Sequence, residues 1–188
     1  MDVRRESLIL AGQSGAQLAP IAHSVGGRML KSTALPVAKA RPKVLAVASR
    51  GGHWIQLLRL REACQEADVV FVTTVPEYRR MVGDAPFRLV IEANRDRKFR
   101  LAIMALQMLW IMLRERPDSV VTTGAAPGYF AVRFGKWLGI RTLWIDSIAN
   151  ADELSLSGRL AARHADTVLT QWSHLAHPGV AEYRGAVI

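Results

Sequence analysis

The chain has 188 residues, 50% of them hydrophobic and 22% charged, which suits one globular domain and excludes a disordered or fibrous chain. A formal net charge of +9 implies an anionic partner, whether nucleic acid, an anionic membrane surface or a phosphorylated substrate. Cys64 is the only cysteine, so there is no intrachain disulfide and no cysteine-based metal site, which favours a reducing, cytoplasmic setting.

Residues 1–42 carry six basic and two acidic side chains among scattered turn formers, and are expected to form an arm or interfacial segment. Nothing in the chain approaches the roughly 20 consecutive apolar residues of a spanning helix. From Lys43 a rhythm begins. "KVLAVAS", "ADVVFVTT", "FRLVIEA", "DSVVTTG", "RTLWIDS", "DTVLTQW" and "GAVI" are short runs rich in Val, Ile, Leu and Thr, bounded by turn residues. Most lack clean alternation, as strands buried on both faces of a parallel sheet do. Helical stretches separate them; in the first, Trp54, Leu57, Leu60 and Cys64 recur at helical spacing. The expected fold over residues 43–188 is therefore α/β, a Rossmann-like doubly wound parallel sheet.

One helix is unusual. Leu101 to Leu113 is apolar on every face except at Gln107, with Arg95, Arg97, Lys98, Arg100, Arg114 and Arg116 on its flanks. A core helix has this composition, and so does one resting in a membrane interface with its cations on anionic headgroups. On the second reading Leu101, Met104, Met108, Trp110 and Ile111 would meet the membrane.

Ligands of open α/β sheets bind outside the carboxyl ends of the strands, so the loops there are the places to search. In "SRGGHW", Gly51 and Gly52 leave free amides at the start of a helix, a setting that favours phosphate, and His53 follows as a candidate general base or phosphate donor. A tight turn with a solvent-facing histidine explains the same residues. "TTGAAPGYF" repeats the pattern, with Gly124 and Gly128 either receiving a phosphate or packing closely on another backbone. In "IDSIANADELSLSGRL", Asp146 ends a strand, and Ser155, Ser157, Gly158 and Arg159 form either a polar cluster or an ordinary helix start. Trp172 and His174 follow the sixth strand.

NAD enzymes, kinases and ordinary hydrolases lose ground. There is no G-x-G-x-x-G dinucleotide fingerprint, no phosphate-binding G-x-x-x-x-G-K-[ST] and no complete G-x-S-x-G elbow, so no cofactor and no metal are expected. The cations flank an apolar helix and do not interleave with aromatics on a strand face, which disfavours nucleic acid as the partner.

Together "SRGGHW", "NRDR", "RPDSVVTTGAAPGYFA", "IDSIANADELSLSGRL", "ADTVLTQWSHLA" and the closing "YRGAVI" resemble, in the same order, the acceptor-side, membrane-associated subunit of the two-part N-acetylglucosaminyltransferase of lipid-linked oligosaccharide synthesis, a family with bacterial relatives in capsule and exopolysaccharide assembly. The resemblance implies a GT-B glycosyltransferase cut in two. This chain would be the N-terminal-type half that binds a polyprenyl-diphosphate-linked acceptor, while a separate small subunit holds the UDP-sugar. It implies that Gly51, Gly52 and His53 face the cleft beside Gly124 to Gly128, that Asp146, Ser155, Ser157, Gly158 and Arg159 lie near it, and that "YRGAVI" ends near the partner. His53 would be the base and Asp146 the second candidate. Arg95, Arg97 and Arg100 would meet the acceptor or headgroups, with the protein peripheral on the inner face of the membrane. The competing expectations are a standalone Rossmann-type nucleotide-binding enzyme and a non-catalytic membrane scaffold.

Overall fold

In the computed structural model, which describes residues 41–94 and 96–187, the expected strands and helices alternate along the chain. The strands are β1 (Lys43–Val47), β2 (Asp68–Thr73), β3 (Phe87–Leu89), β4 (Ser119–Thr122), β5 (Arg141–Ile145), β6 (Thr167–Thr170) and β7 (Glu182–Tyr183). The helices are α1 (Gly52–Arg59), α2 (Lys98–Glu115), α3 (Ala125–Leu138) and α4 (Leu156–Ala161). Among the described residues these strands form one parallel sheet in the order β3-β2-β1-β4-β5-β6-β7. The arm expected over residues 1–42 lies outside the described residues except for its last two, as do Arg95 and Ile188.

Alternate strand residues enter opposite layers. Leu45, Val47, Val70, Val72 and Val120 pack beneath α2 and α3, burying Met104, Met108, Ile111, Met112 and Ala131. Ala46, Ala48 and Phe71 face the other way, against Trp54 and Leu57 of α1. A third cluster joins Trp144 and Val168 of β5 and β6 to Val132 of α3 and Ala161 of α4. Helices therefore cover both faces, and the central strands read as apolar runs because neither face meets water.

Three expectations change. The first helix does not run to Cys64: it ends at Arg59 and tightens into a 3₁₀ segment over Leu60–Cys64. The described part of "GAVI", residues 185–187, is not a strand. The last strand is the two-residue Glu182–Tyr183, and beyond it the Val187 amide donates to the Gln171 side chain instead of to a sheet neighbour. The third change concerns α2. Met104, Met108 and Ile111, expected to meet a membrane, are buried against the sheet, and Leu101 is half-buried; of the expected set only Trp110 is exposed. The outward face carries Phe99, Leu106, Trp110 and Leu113, which are 79%, 67%, 57% and 53% exposed. Gln107, the polar interruption, caps a loop: its Oε1 accepts the Ile91 amide at 2.8 Å.

Candidate functional site

The strand order reverses between β1 and β4, the neighbours from which the chain departs in opposite directions. At such a switch point the loops leaving the two strands diverge and open a crevice at their carboxyl ends. Here those loops are residues 48–51, after β1, and 123–124, after β4, the two glycine-bearing loops singled out in the sequence.

Gly51 caps α1 with φ of 67°, a backbone that L side chains rarely adopt. Its amide donates to the Tyr78 hydroxyl at 3.0 Å, and Tyr78 stacks on Trp54 with ring centroids 5.0 Å apart. Trp54 is fully buried, so this anchor fixes where α1 begins. No side chain caps α1 and no acidic residue lies in its first turn, leaving its leading amides and positive dipole end available to an anion. A β-carbon on Gly52 would meet nothing within 4 Å, so that side of the turn is open.

His53 leans across the switch point. Its Nδ1 lies 2.7 Å from the Thr123 carbonyl oxygen, and the Thr123 hydroxyl donates back to the His53 carbonyl at 2.6 Å. A carbonyl oxygen only accepts, so Nδ1 carries the hydrogen, and in the neutral form of the ring the lone pair lies on Nε2. Gly124 makes room for this. A β-carbon there would stand 2.8 Å from His53 Cε1, and its φ of 126° suits only glycine. The next residue, Ala125, begins α3 at φ of 63°, a left-handed conformation costing roughly 1–2 kcal/mol in a non-glycine residue. α3 also starts without a side-chain cap or an acidic first turn. Two uncapped helix N-termini thus converge on one imidazole.

Gly128, Asp146, Ser155, Gly158 and Arg159 make contacts within the framework. Gly128 is buried, and a β-carbon on it would collide with the Thr122 side chain, so its role is close packing of α3 on β4 and not phosphate binding. Asp146 is 1% exposed, and its carboxylate accepts from Trp144 Nε1 (3.1 Å), Asn150 Nδ2 (3.1 Å), the Ser155 amide (2.8 Å) and the Ser155 hydroxyl (2.6 Å). With four donors engaged the carboxylate has no lone pair turned to the crevice, and it folds the loop between β5 and α4. Ser155 caps α4 by accepting the Gly158 amide at 2.8 Å, and Gly158 is required because a β-carbon would lie 2.7 Å from Asp146 Oδ1. Arg159 turns back to the Leu154 carbonyl at 2.9 Å and to Glu153 at 2.7 Å. Ser157 is half-buried in the first turn of α4. Arg97 is the exposed residue ahead of α2, while Arg95 lies outside the described residues.

Thr123, Tyr78 and Gln171 make contacts in this region that the sequence did not reveal. For Thr123 the signal was its place directly before Gly124 in a strand-to-helix turn. At the opposite end of the sheet, a cavity of about 650 Å³ is lined by charged residues including Lys43, Arg88 and Glu115. Glu115 is held there by Arg88 at 2.7 Å and Lys43 at 3.7 Å, so its carboxylate is met by two cations.

The sequence model of the family described as "Oligosaccharide biosynthesis protein Alg14 like" matches residues 87–187. The UDP-N-acetylglucosamine transferase subunit ALG14 of Yarrowia lipolytica (strain CLIB 122 / E 150) is 25% identical over 172 residues, covering 86% of this chain and 74% of its own. Among solved structures, Acinetobacter baumannii MurG superposes with a TM-score of 0.63 at 16% identity, over 76% of this chain and 45% of MurG. The UDP-N-acetylglucosamine 2-epimerase of Rickettsia bellii does so with a TM-score of 0.60 at 14% identity, over 78% of this chain and 45% of its own. The chain spans less than half the length of either solved protein. At these identities the likeness is one of fold, the Rossmann-like architecture expected for one half of a GT-B glycosyltransferase.

Proposed function

The chain belongs to the Alg14-like family of oligosaccharide biosynthesis proteins, and on that premise we propose that it is the acceptor-side subunit of a split GT-B glycosyltransferase. A separate donor-binding subunit holds the UDP-sugar, and this chain holds a polyprenyl-diphosphate-linked saccharide whose tail stays in the membrane. The transferase assignment draws support from the relative in Yarrowia lipolytica, which is a UDP-N-acetylglucosamine transferase subunit.

The observation that carries the reading is the bond between His53 Nδ1 and the Thr123 carbonyl, which leaves Nε2 as the nitrogen free for the acceptor beside two uncapped helix N-termini. The acceptor diphosphate lies against the leading amides of α1 and α3, where backbone N–H groups and helix dipoles favour anions. Its sugar hydroxyl then points at Nε2. As the hydroxyl oxygen attacks the anomeric carbon of the donor, Nε2 takes the hydroxyl proton, the bond from the anomeric carbon to the diphosphate breaks, and UDP leaves with its electron pair. Attack from the face opposite UDP inverts the anomeric centre.

Among the described residues no helix is long and apolar enough to cross a membrane. Membrane contact, on this reading, is peripheral and on the cytoplasmic face, through Phe99, Leu106, Trp110 and Leu113. Lys98, Arg100 and Arg114 stand beside them for anionic headgroups, and the Arg114 guanidinium lies 5.4 Å from the centre of the Trp110 ring.

General-base assistance is typically worth about 10²–10⁴-fold in rate. We expect His53→Ala, assayed with the donor-binding subunit, to lower kcat for sugar transfer within that range while the complex stays assembled. A loss below about tenfold would reduce His53 to a positioning role.

A further inference from the structure

Beyond His53, three buried polar side chains, Gln56, Ser147 and Gln171, meet the backbone carbonyl of Asp146 at the carboxyl ends of β5 and β6. Gln171 stands directly after β6 and bonds through both ends of its amide. Its Nε2 donates to Gln56 Oε1 at 3.0 Å and to the Asp146 carbonyl at 2.9 Å, and its Oε1 accepts the Val187 amide at 2.8 Å. Gln56 passes the network on, its Nε2 donating to Ser147 Oγ at 3.4 Å. Arg59, also on α1, reaches the Val187 carbonyl at 3.4 Å. One side chain thus joins α1, the ends of β5 and β6, and the segment that follows β7.

Two glutamine amides at a buried sheet end call for a reason, because an apolar side chain would fill the space without any polar group to satisfy. A fully bonded buried network specifies one geometry among several that packing alone would allow. The geometry fixed here is the seating of α1, on which Gln56 lies three residues beyond His53. Tyr78 holds the start of the same helix through Gly51, so α1 is gripped at its first turn and again at Gln56.

We propose that Gln171 is a positioning residue: through Gln56 it sets α1, and with it His53, against the crevice, and through Val187 it seats residues 184–187 on that same helix. The inference rests on His53 acting as the base. The test uses the full chain with its donor-binding subunit and compares Gln171→Leu, Gln171→Glu, Gln56→Leu and the double variant Gln56→Leu/Gln171→Leu. Gln171→Leu is expected to lower kcat about 10- to 100-fold, the scale of a small misplacement of a reacting group, with acceptor KM within about threefold of wild type because the uncapped helix starts remain. Gln56→Leu should act alike, and the double variant should be no worse than either single one, since both cut the same link. Hydrogen exchange should quicken at the α1 amides in both. Gln171→Glu keeps the acceptor for Val187, so it should retain protection at residue 187 while losing it in α1.

Folded variants with wild-type kcat and unchanged exchange in α1 would overturn the inference, as would effects of the two leucine substitutions that multiply in the double variant. An insoluble Gln171→Leu leaves Gln171→Glu and Gln56→Leu to decide. Failure of the underlying reading has a different signature: His53→Ala then transfers sugar at the wild-type rate, whatever the glutamine variants do.

Discussion

His53 takes its orientation from a backbone carbonyl 70 residues along the chain, and Gly124 is the residue that lets the two approach. Gly124→Ala should therefore do two kinds of damage. A β-carbon 2.8 Å from the ring displaces the imidazole, and alanine at φ of 126° strains the start of α3 by roughly 1–3 kcal/mol. The expected result is a kcat for transfer reduced by about tenfold or more together with a lower Tm. Gly52→Ala is the contrasting substitution. The space there is open and the position is helical, so stability should rise by up to about 1 kcal/mol. If the acceptor diphosphate lies against that turn, acceptor KM rises all the same; an unchanged KM would move the acceptor elsewhere. At this scale the sequence was informative about local features and silent about distant ones. Two glycines followed by a histidine announce a strand-to-helix turn by themselves, whereas Thr123 and Gln171 matter only because the strand order brings β4 beside β1 and the end of the chain beside α1.

At the scale of elements, α2 shows why an all-apolar helix is ambiguous in sequence. Its composition contains two different apolar faces, and only the sheet decides between them: Met104, Met108, Ile111 and Met112 meet β1, β2 and β4, and Phe99, Leu106, Trp110 and Leu113 are left outside. The two faces should respond differently to the same change. The double variant Phe99→Ser/Trp110→Ser is expected to weaken sedimentation with anionic lipid vesicles by about tenfold or more with little change in Tm, since two large apolar side chains no longer enter the interface. Unchanged vesicle binding would remove α2 as the membrane contact. Met108→Ser, on the inner face, should instead destabilise the fold by several kcal/mol, roughly the cost of a cavity plus an unpaired hydroxyl. The β5–α4 loop offers a second comparison. Its sequence identified Asp146 as chemically interesting, yet the four donors around the carboxylate make it the core of a loop fold. Asp146→Ala should cost about 2–5 kcal/mol in denaturant unfolding, because Trp144 Nε1 and the Ser155 amide lose their acceptor. A stability near wild type combined with lost activity would restore Asp146 to the chemistry.

At the scale of the whole molecule, the parallel sheet and its helices were legible because the strands are short runs rich in Val, Ile, Leu and Thr, separated by helical stretches. The order of the strands was not, since nothing local in β1 states that β4 will lie beside it; that neighbour relation is what turns two separate glycine loops into one crevice. The edge strands were the least legible. β7 is only two residues long, and Val187 beyond it is held by a side chain instead of a ladder. The Rossmann-like unit superposes on 45% of MurG, and on the function proposed above a separate donor-binding subunit would hold the activated sugar opposite His53 Nε2. The most direct measurement is transfer from a radiolabelled UDP-sugar to lipid-linked acceptor by two samples: the chain purified alone, and the same chain recovered with its co-purifying subunit from detergent-solubilised native membranes. The account predicts transfer only in the second sample. Transfer by the chain alone, or by neither sample although a donor-binding subunit co-purifies, would contradict it.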